Sequence, residues 1–202
     1  MCQFKSALVL KDRVFVPDYD SHDRMLKELG ITDDFAHASK VFVRVELSPT
    51  DGDKTSDPMG WKIRIDQDIL PDWFVHEVDE QRVKVAITEW CKVHVLRDGH
   101  HEVHDGVWIA TGSSKVVARG SSKVVARGSS NVEACGSSNV EAWDSSKVVA
   151  LDSSKVVARD SSTIILPARW QTTNPVVVTD NAICINHKTH TIKSAIKWAQ
   201  EE

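Results

Sequence analysis

The sequence predicts a small α+β domain followed by a mainly β solenoid of eight-residue repeats, closed by a short C-terminal cap helix. Three observations carry this reading. From Gly112 the chain reads GSSKVVAR, GSSKVVAR, GSSNVEAC, GSSNVEAW, DSSKVVAL, DSSKVVAR and DSSTIILP, seven octads that end at Pro167. A degenerate octad, HDGVWIAT at His104–Thr111, precedes them. Within each octad the residues alternate with the strand period of two. Ser114, Val116 and Ala118 share one face, which is small and nearly constant between octads. Lys115, Val117 and Arg119 share the other, which varies freely. A narrow stacked interior tolerates no variation, whereas a solvent face does. Gly or Asp opens each octad and supplies the turn. Eight is not a helical period, and Ser-Ser-x-Val is poor helix chemistry.

Residues 1–100 lack the repeat and read as the α+β domain. Phe4–Val9 and Val14–Val16 predict a hairpin around Lys11-Asp12-Arg13. Ser21 caps a helix carrying Met25, Leu26 and Leu29 that stops at Gly30. Lys40–Leu47 alternates as a strand, Pro49-Thr-Asp-Gly-Asp is a turn, and Trp61–Ile65 is a further strand. Glu77–Leu96 predicts a helix with Val83, Ala86, Ile87, Trp90, Cys91 and His94 on one face. That helix leads into the repeats and is placed to cover their open first rung, because a solenoid end exposes unpaired strand edges. Residues 101–170 form the solenoid and 171–202 the cap. In the cap, Val176–Val178 and Ala182–Ile185 predict a hairpin about Asp180-Asn181. Thr191–Glu202 predicts a helix with Ile192, Ala195, Ile196 and Ala199 on one face.

Composition narrows the classes. Lys+Arg 25 against Asp+Glu 29 gives a net charge of −4, which excludes a globally basic nucleic-acid binder. A hydrophobic share of 41% argues against wholesale disorder. No apolar run approaches the ~18–20 residues that span a bilayer, and MCQFKSALVLKDR is too short and charged for a secretory signal. Cys2, Cys91, Cys135 and Cys184 are scattered without a CxxC pair. Together these predict thiols in a reducing compartment, a cytoplasmic location and no membrane partner.

The octads resemble those of bacterial ice-nucleation proteins. In the frame Ala118-Arg-Gly-Ser-Ser-Lys-Val-Val, Ala stands first, Ser fifth and an aliphatic residue seventh. The resemblance covers about a quarter of the chain. It implies two octads per coil, with three as the alternative, and a stack of roughly 17 Å at ~4.8 Å per rung. Ice binding does not carry over. It would need long Thr-x-Thr rows, and Thr163 is the one Thr of the seven octads.

With two octads per coil, outward residues form ladders. One sheet stacks Lys115, Asn131, Lys147 and Thr163, and the other stacks Lys123, Asn139 and Lys155. The Asn rung separates like charges. Beside them run Val117–Glu133–Val149–Ile165 and Val125–Glu141–Val157. Next on the second sheet comes Arg127–Trp143–Arg159, where a Trp flanked by two Arg can stack by cation–π contact. Trp and Arg dominate interface hot spots, so this column is the predicted partner-binding site. The bland reading is a solvated mixed-charge face that keeps the solenoid soluble. The octads carry seven basic residues against five acidic ones, a net of +2 that attracts nucleic acid weakly.

The N-terminal phrases MCQFKSALVLKDRVFVPDYDSH, ELGI, FVRVELSP and DQDILPDWF resemble an uncharacterised family found in bacteria and their phages. That resemblance covers roughly the first 95 residues. It implies a mobile-element protein in a bacterial cytoplasm, an inhibitor of host defence among the options, and it carries over no catalytic residue.

Two enzymatic alternatives are weighed. Removal of Met1 would expose Cys2, whose thiol and α-amine are the parts of an N-terminal nucleophile. Gln3, however, stands where glutamine amidotransferases have Gly, and a small apolar strand residue is the simpler role. Asp66 and Asp68, with Asp72 nearby, offer paired carboxylates on a strand face for acid–base work. Asp ahead of Pro71 is also ordinary turn chemistry. Cys91, His94, His100, His101 and His104 lack a zinc-ligand spacing, so neither a metal site nor a cofactor is predicted. The reading that follows is a non-enzymatic protein-binding or scaffold protein. Its docking residues are Arg127, Trp143 and Arg159, supported by Glu133 and Glu141. Self-association through solenoid edges or ends is a further expectation.

Overall fold

The computed structural model describes residues 5–50, 52–53, 56–169 and 176–194. The chain divides into two compact units, Met1–Val93 and His94–Glu202.

In the first unit, β1 (Lys5–Leu10) and β2 (Val14–Phe15) form the expected hairpin, with Leu8 opposite Phe15. They are followed by α1 (His22–Glu28), α2 (Phe35–Ala38), β3 (Phe42–Ser48), β4 (Lys62–Ile65) and α3 (His76–His94). The four strands form an antiparallel sheet in the order β2-β1-β3-β4. Ser21 caps α1, its Oγ accepting the Arg24 N–H at 3.3 Å, and Gly30 at φ +67° ends it. Met25 and Leu26 turn inward onto Leu8, Leu10 and Phe42. The short α2 was not legible from periodicity. One turn has no repeat to detect, and Asp34 caps it by accepting the His37 N–H.

β1 is buried along its whole length, Lys5 included at 0% exposure. Its ammonium donates to Asp20 Oδ1 at 2.7 Å and to the Tyr19 carbonyl at 3.0 Å, and lies 5.0 Å from the Trp90 ring centroid. Desolvation pushes the Lys5 pKa down, against the pull of the Asp20 carboxylate.

The second unit is a two-sheet parallel solenoid of about five coils. Before the repeats come β5 (Val95–Leu96), β6 (His100–His104) and β7 (Val107–Ala110). The seven octads supply β8 (Lys115–Arg119), β9 (Lys123–Ala126), β10 (Asn131–Ala134), β11 (Asn139–Ala142), β12 (Lys147–Ala150), β13 (Lys155–Ala158) and β14 (Thr163–Leu166). The chain then adds β15 (Val176–Val178), β16 (Ile183–Asn186) and β17 (Thr191–Ser194). Even-numbered strands from β6 to β16, plus β17, build a seven-stranded sheet; odd-numbered strands from β5 to β15 build a six-stranded one. Asn131 pairs with Lys115 and Lys147, and Asn139 with Lys123 and Lys155, so a coil is 16 residues, or two octads.

The burial pattern explains the constant face. Val116, Val132, Val148, Ala118, Ala134 and Ala150 line the interior with every octad Ser at its third position. Two sheets this close leave room only for small side chains. In two of the octads the Ser hydroxyl also serves the turn: Ser154 Oγ donates to the Leu151 carbonyl and Ser162 Oγ to the Arg159 carbonyl, both at 2.7 Å, whereas the hydroxyls of Ser114, Ser122, Ser130, Ser138 and Ser146 are buried without a hydrogen-bond partner among the described residues. Corners are turned by residues at positive φ, with Gly112, Gly120, Gly128 and Gly136 in the early octads and Asp144, Asp152 and Asp160 in the later ones.

The structure corrects three expectations. The solenoid extends past the clear octads at both ends. Val95–Leu96 leaves α3 to pair in parallel with Ile109–Ala110, which ends the helix two residues earlier than its stripe predicts. Val176–Val178 and Ile183–Asn186 do not form a hairpin; they lie in opposite sheets, parallel to β13 and β14, and Asp180 at φ +56° turns between them as the octad Asp residues do. Thr191–Ser194 is not the start of a cap helix but an antiparallel strand, with Ile192 opposite Ile185. The open edge of β16 offers unpaired N–H and C=O groups, and an added strand satisfies more of them than a helix can. The rest of the predicted helix, 195–202, lies outside the described residues.

Candidate interaction face

The outer face of the six-stranded sheet is a grid fixed by backbone pairing. Its columns are Lys123–Asn139–Lys155, Val125–Glu141–Val157 and Arg127–Trp143–Arg159. The third column sits just past the strand ends and continues the ladder: Arg127 N–H donates to Ala110 O at 2.8 Å, Trp143 N–H to Ala126 O at 2.9 Å, and Arg159 N–H to Ala142 O at 2.9 Å. Each residue therefore lies one rung from the next, about 4.8 Å away. The Arg127 and Arg159 guanidinium carbons stand 5.4 and 5.0 Å from the Trp143 ring centroid, one on each side. Both distances fall within the ~6 Å range of a cation–π contact. All three side chains are half-buried, while Lys123, Asn139, Glu141 and Lys155 are exposed. Among the described residues, Lys123, Lys155, Arg159 and Glu141 make no ion pair. The turn carboxylates of Asp144 and Asp160 follow directly on the third column, each accepting a backbone N–H of the coil before it.

The opposite, seven-stranded sheet repeats the pattern in weaker form. Its columns are Lys115–Asn131–Lys147, Val117–Glu133–Val149 and Arg119–Cys135–Leu151. Glu133 therefore does not join Trp143; the two occupy opposite faces. Here Arg119 is neutralised by Glu102, whose carboxyl is held below its usual range by that guanidinium. The Cys135 thiol is pushed up, first by burial and then by the Glu133 carboxylate. No aromatic residue stands where Trp143 does. Asn131 and Asn139 separate the lysines as expected, but their amides turn back to Ser129 and Ser137 carbonyls and not to the Lys side chains.

Among the described residues the enzymatic candidates are not assembled into a catalytic group. Cys2 lies outside the described residues. β4 stops at Ile65, so Asp66 and Asp68 follow the strand and do not share its face. Asp66 lies 3.7 Å from both His22 and Arg64, and Asp68 is exposed. Gln67 between them is the anchor. Its Oε1 accepts the Arg44 N–H at 2.9 Å, and its Nε2 donates to the Ala38, Phe42 and Ile69 carbonyls. His94 stacks on Trp108 at 4.9 Å, His101 bonds the Asp98 carbonyl and His104 faces Glu102. Among the described residues no group of three His, Cys, Asp or Glu side chains is placed to hold a metal ion. No helix among them is long and apolar enough to cross a membrane.

Sequence reasoning left Lys123 and Lys155 out of the site. The ladder Lys123–Asn139–Lys155 was read from the two-octad coil, but its lysines were not counted among the docking residues; the pairing puts them on the same sheet face as Trp143. Comparison with known protein families, curated proteins and solved structures finds no match to this chain.

Proposed function

We propose that the chain is a non-enzymatic protein-binding module and that its docking surface is the outer face of the six-stranded sheet. The observation that supports this reading is the placement of Trp143 between Arg127 and Arg159 on a rigid backbone ladder. Interfaces draw their energy from a few Trp, Tyr and Arg residues set in preorganised positions. A ladder fixed by hydrogen bonds on both sides holds these side chains at little further entropic cost. Action in a bacterial cytoplasm, for instance against a host defence protein, rests on the N-terminal resemblance alone and belongs to the same proposal.

The test is affinity capture at moderate salt with wild type and Trp143→Ala. The expected result is a stoichiometric protein partner lost in the variant, with unchanged far-UV circular dichroism. A partner retained by the variant moves the site elsewhere, and the absence of any partner removes the reading.

A further inference from the structure

The first unit carries a second surface, and its backbone says what covers it. We infer that the open edge of β2 is a strand-addition site, which takes an extended segment of another protein with a large apolar side chain turned toward α3. The inference is independent of the solenoid face and of Trp143.

β2 is the edge strand of its sheet and pairs with β1 alone. The hairpin closes with the Leu10 N–H donating to the Arg13 carbonyl at 2.8 Å. Hydrogen-bonded and non-hydrogen-bonded pairs alternate along an antiparallel ladder, so the next pair, Val9 with Val14, is a non-bonded one. The Val14 N–H and C=O therefore point away from β1 and have no hydrogen-bond partner among the described residues. Beside that edge lies a groove of about 300 Å³, with Val14 on one side and Val85 and Ala86 of α3 on the other. Val85 is 51% exposed there. The charged groups of the groove do not select an occupant. Arg82 is tied to Asp79 Oδ1 at 2.5 Å and to the Leu10 carbonyl at 3.0 Å, and Asp12 adjoins Arg13. The Arg82 bond also fixes the hairpin to the helix, so both walls are held before anything binds.

The unpaired backbone does the selecting. A helix or a small apolar molecule would cover Val14 without pairing its N–H and C=O, and buried unpaired backbone groups keep their full desolvation cost. An extended segment pairs both groups and sends alternate side chains into the groove, the strand-addition mode of recognition. The groove has room for a large apolar side chain packed on Val14, Val85 and Ala86. A second copy fits less well. Its own β2 is two residues long, bounded by the Lys11-Asp12 turn on one side and by Pro17 on the other. Such a copy runs out of strand where a free segment continues, and a short edge is a device by which proteins discourage pairing between copies.

The experiment selects a displayed library of random peptides against the full chain, in parallel with Val14→Pro, Val85→Lys and Trp143→Ala, each checked for fold by circular dichroism. Val14→Pro removes an N–H that the fold does not use, at an edge position that tolerates Pro. Val85→Lys changes an exposed position. The expected result is enrichment of peptides with apolar residues at alternate positions. Their binding should fall at least about tenfold with Val14→Pro and with Val85→Lys, and stay unchanged with Trp143→Ala. N-methylation along an enriched peptide should weaken binding at alternate residues only, because every second N–H of an added strand faces β2. Should Val14→Pro fail to fold, Val85→Lys and the N-methyl scan still decide. Binding indifferent to Val85, a scan without alternation, or no such peptides would each overturn the inference. So would a dimer in sedimentation equilibrium that Val85→Lys dissociates, which would make the occupant a second copy.

Discussion

The carboxylate of Asp160 reaches across one coil to the backbone of Asp144: its Oδ2 accepts the Asp144 N–H at 3.1 Å. Asp144 in turn accepts the Gly128 N–H at 2.9 Å, and on the other corner Asp152 accepts the Gly136 N–H at 3.0 Å. An octad Asp therefore does two things that Gly cannot combine. It tolerates positive φ, and it pins the turn of the coil before it. Asp160→Ala should lose both, costing about 2–3 kcal/mol from ~1–2 for the left-handed backbone and ~1 for the hydrogen bond. Asp160→Gly should cost about 1 kcal/mol, and Asp160→Asn less. Urea unfolding would rank them, and equal losses for Ala and Asn would refute this role.

Two glycines with the same backbone conformation should differ sharply on substitution. Gly112 and Gly136 sit at φ +62° and +63°. A Cβ at Gly136 would meet the Gly120 carbonyl at 3.3 Å, but at Gly112 it would meet the Arg97 carbonyl at 2.5 Å. Gly136→Ala should cost roughly 1–2 kcal/mol, the left-handed term. Gly112→Ala must also displace backbone and should cost clearly more. Paired thermal melts of the two variants would check the order.

Lys5 and Asp20 should respond unequally to removal. Lys5→Met replaces a buried cation with an apolar chain of similar length and leaves a carboxylate that is 32% exposed, so its effect should be small. Asp20→Ala strands the buried ammonium and should cost about 3 kcal/mol. The pH dependence follows from the same burial. Lys5 binds its proton less tightly folded than unfolded, so stability should rise with pH between its lowered folded pKa and 10.5. Tyr19 acts the other way. Burial and its hydrogen bond to Glu28 push its phenol up to about 12, so its stabilisation holds below pH 10 and is lost as pH rises through about 12. Denaturant titrations from pH 7 to 11 on wild type and Lys5→Met would isolate the first effect, which should vanish in the variant.

The Trp143 stack should matter more for docking than for folding. Cation–π pairs contribute ~0.5–1 kcal/mol when exposed and about 2 kcal/mol when desolvated, and this stack is half-buried. A double-mutant cycle on Trp143→Leu and Arg159→Met should yield a coupling in that range in unfolding experiments. A coupling well above about 2 kcal/mol would mark the pair as structural cement, since hot-spot residues of a docking face draw their larger effects from the partner.

The octads wrote the solenoid into the sequence because their information is local. Alternation assigns Val116 and Ala118 inward, and the turn needs Gly or Asp at one position in eight. β1 to β4, α1 and most of α3 were legible for the same reason, each being a periodic run with its own cap or turn. Coil length was not local. It came from a family resemblance, and the structure establishes it by closing Lys115 onto Asn131 through sheet pairing. The ends were decided entirely by tertiary structure. Val95–Leu96 reads as helix until a parallel neighbour claims it, and Thr191–Ser194 reads as helix until the open edge of β16 takes it as a strand. The interaction face shows the same division. The sequence supplied Arg127, Trp143 and Arg159 at a spacing of 16, with Glu141 two residues before Trp143, and a coil of two octads was enough to stack them on paper. The tertiary structure decided the register, by pairing strands 16 residues apart, and the contact of both guanidinium groups with the Trp143 ring.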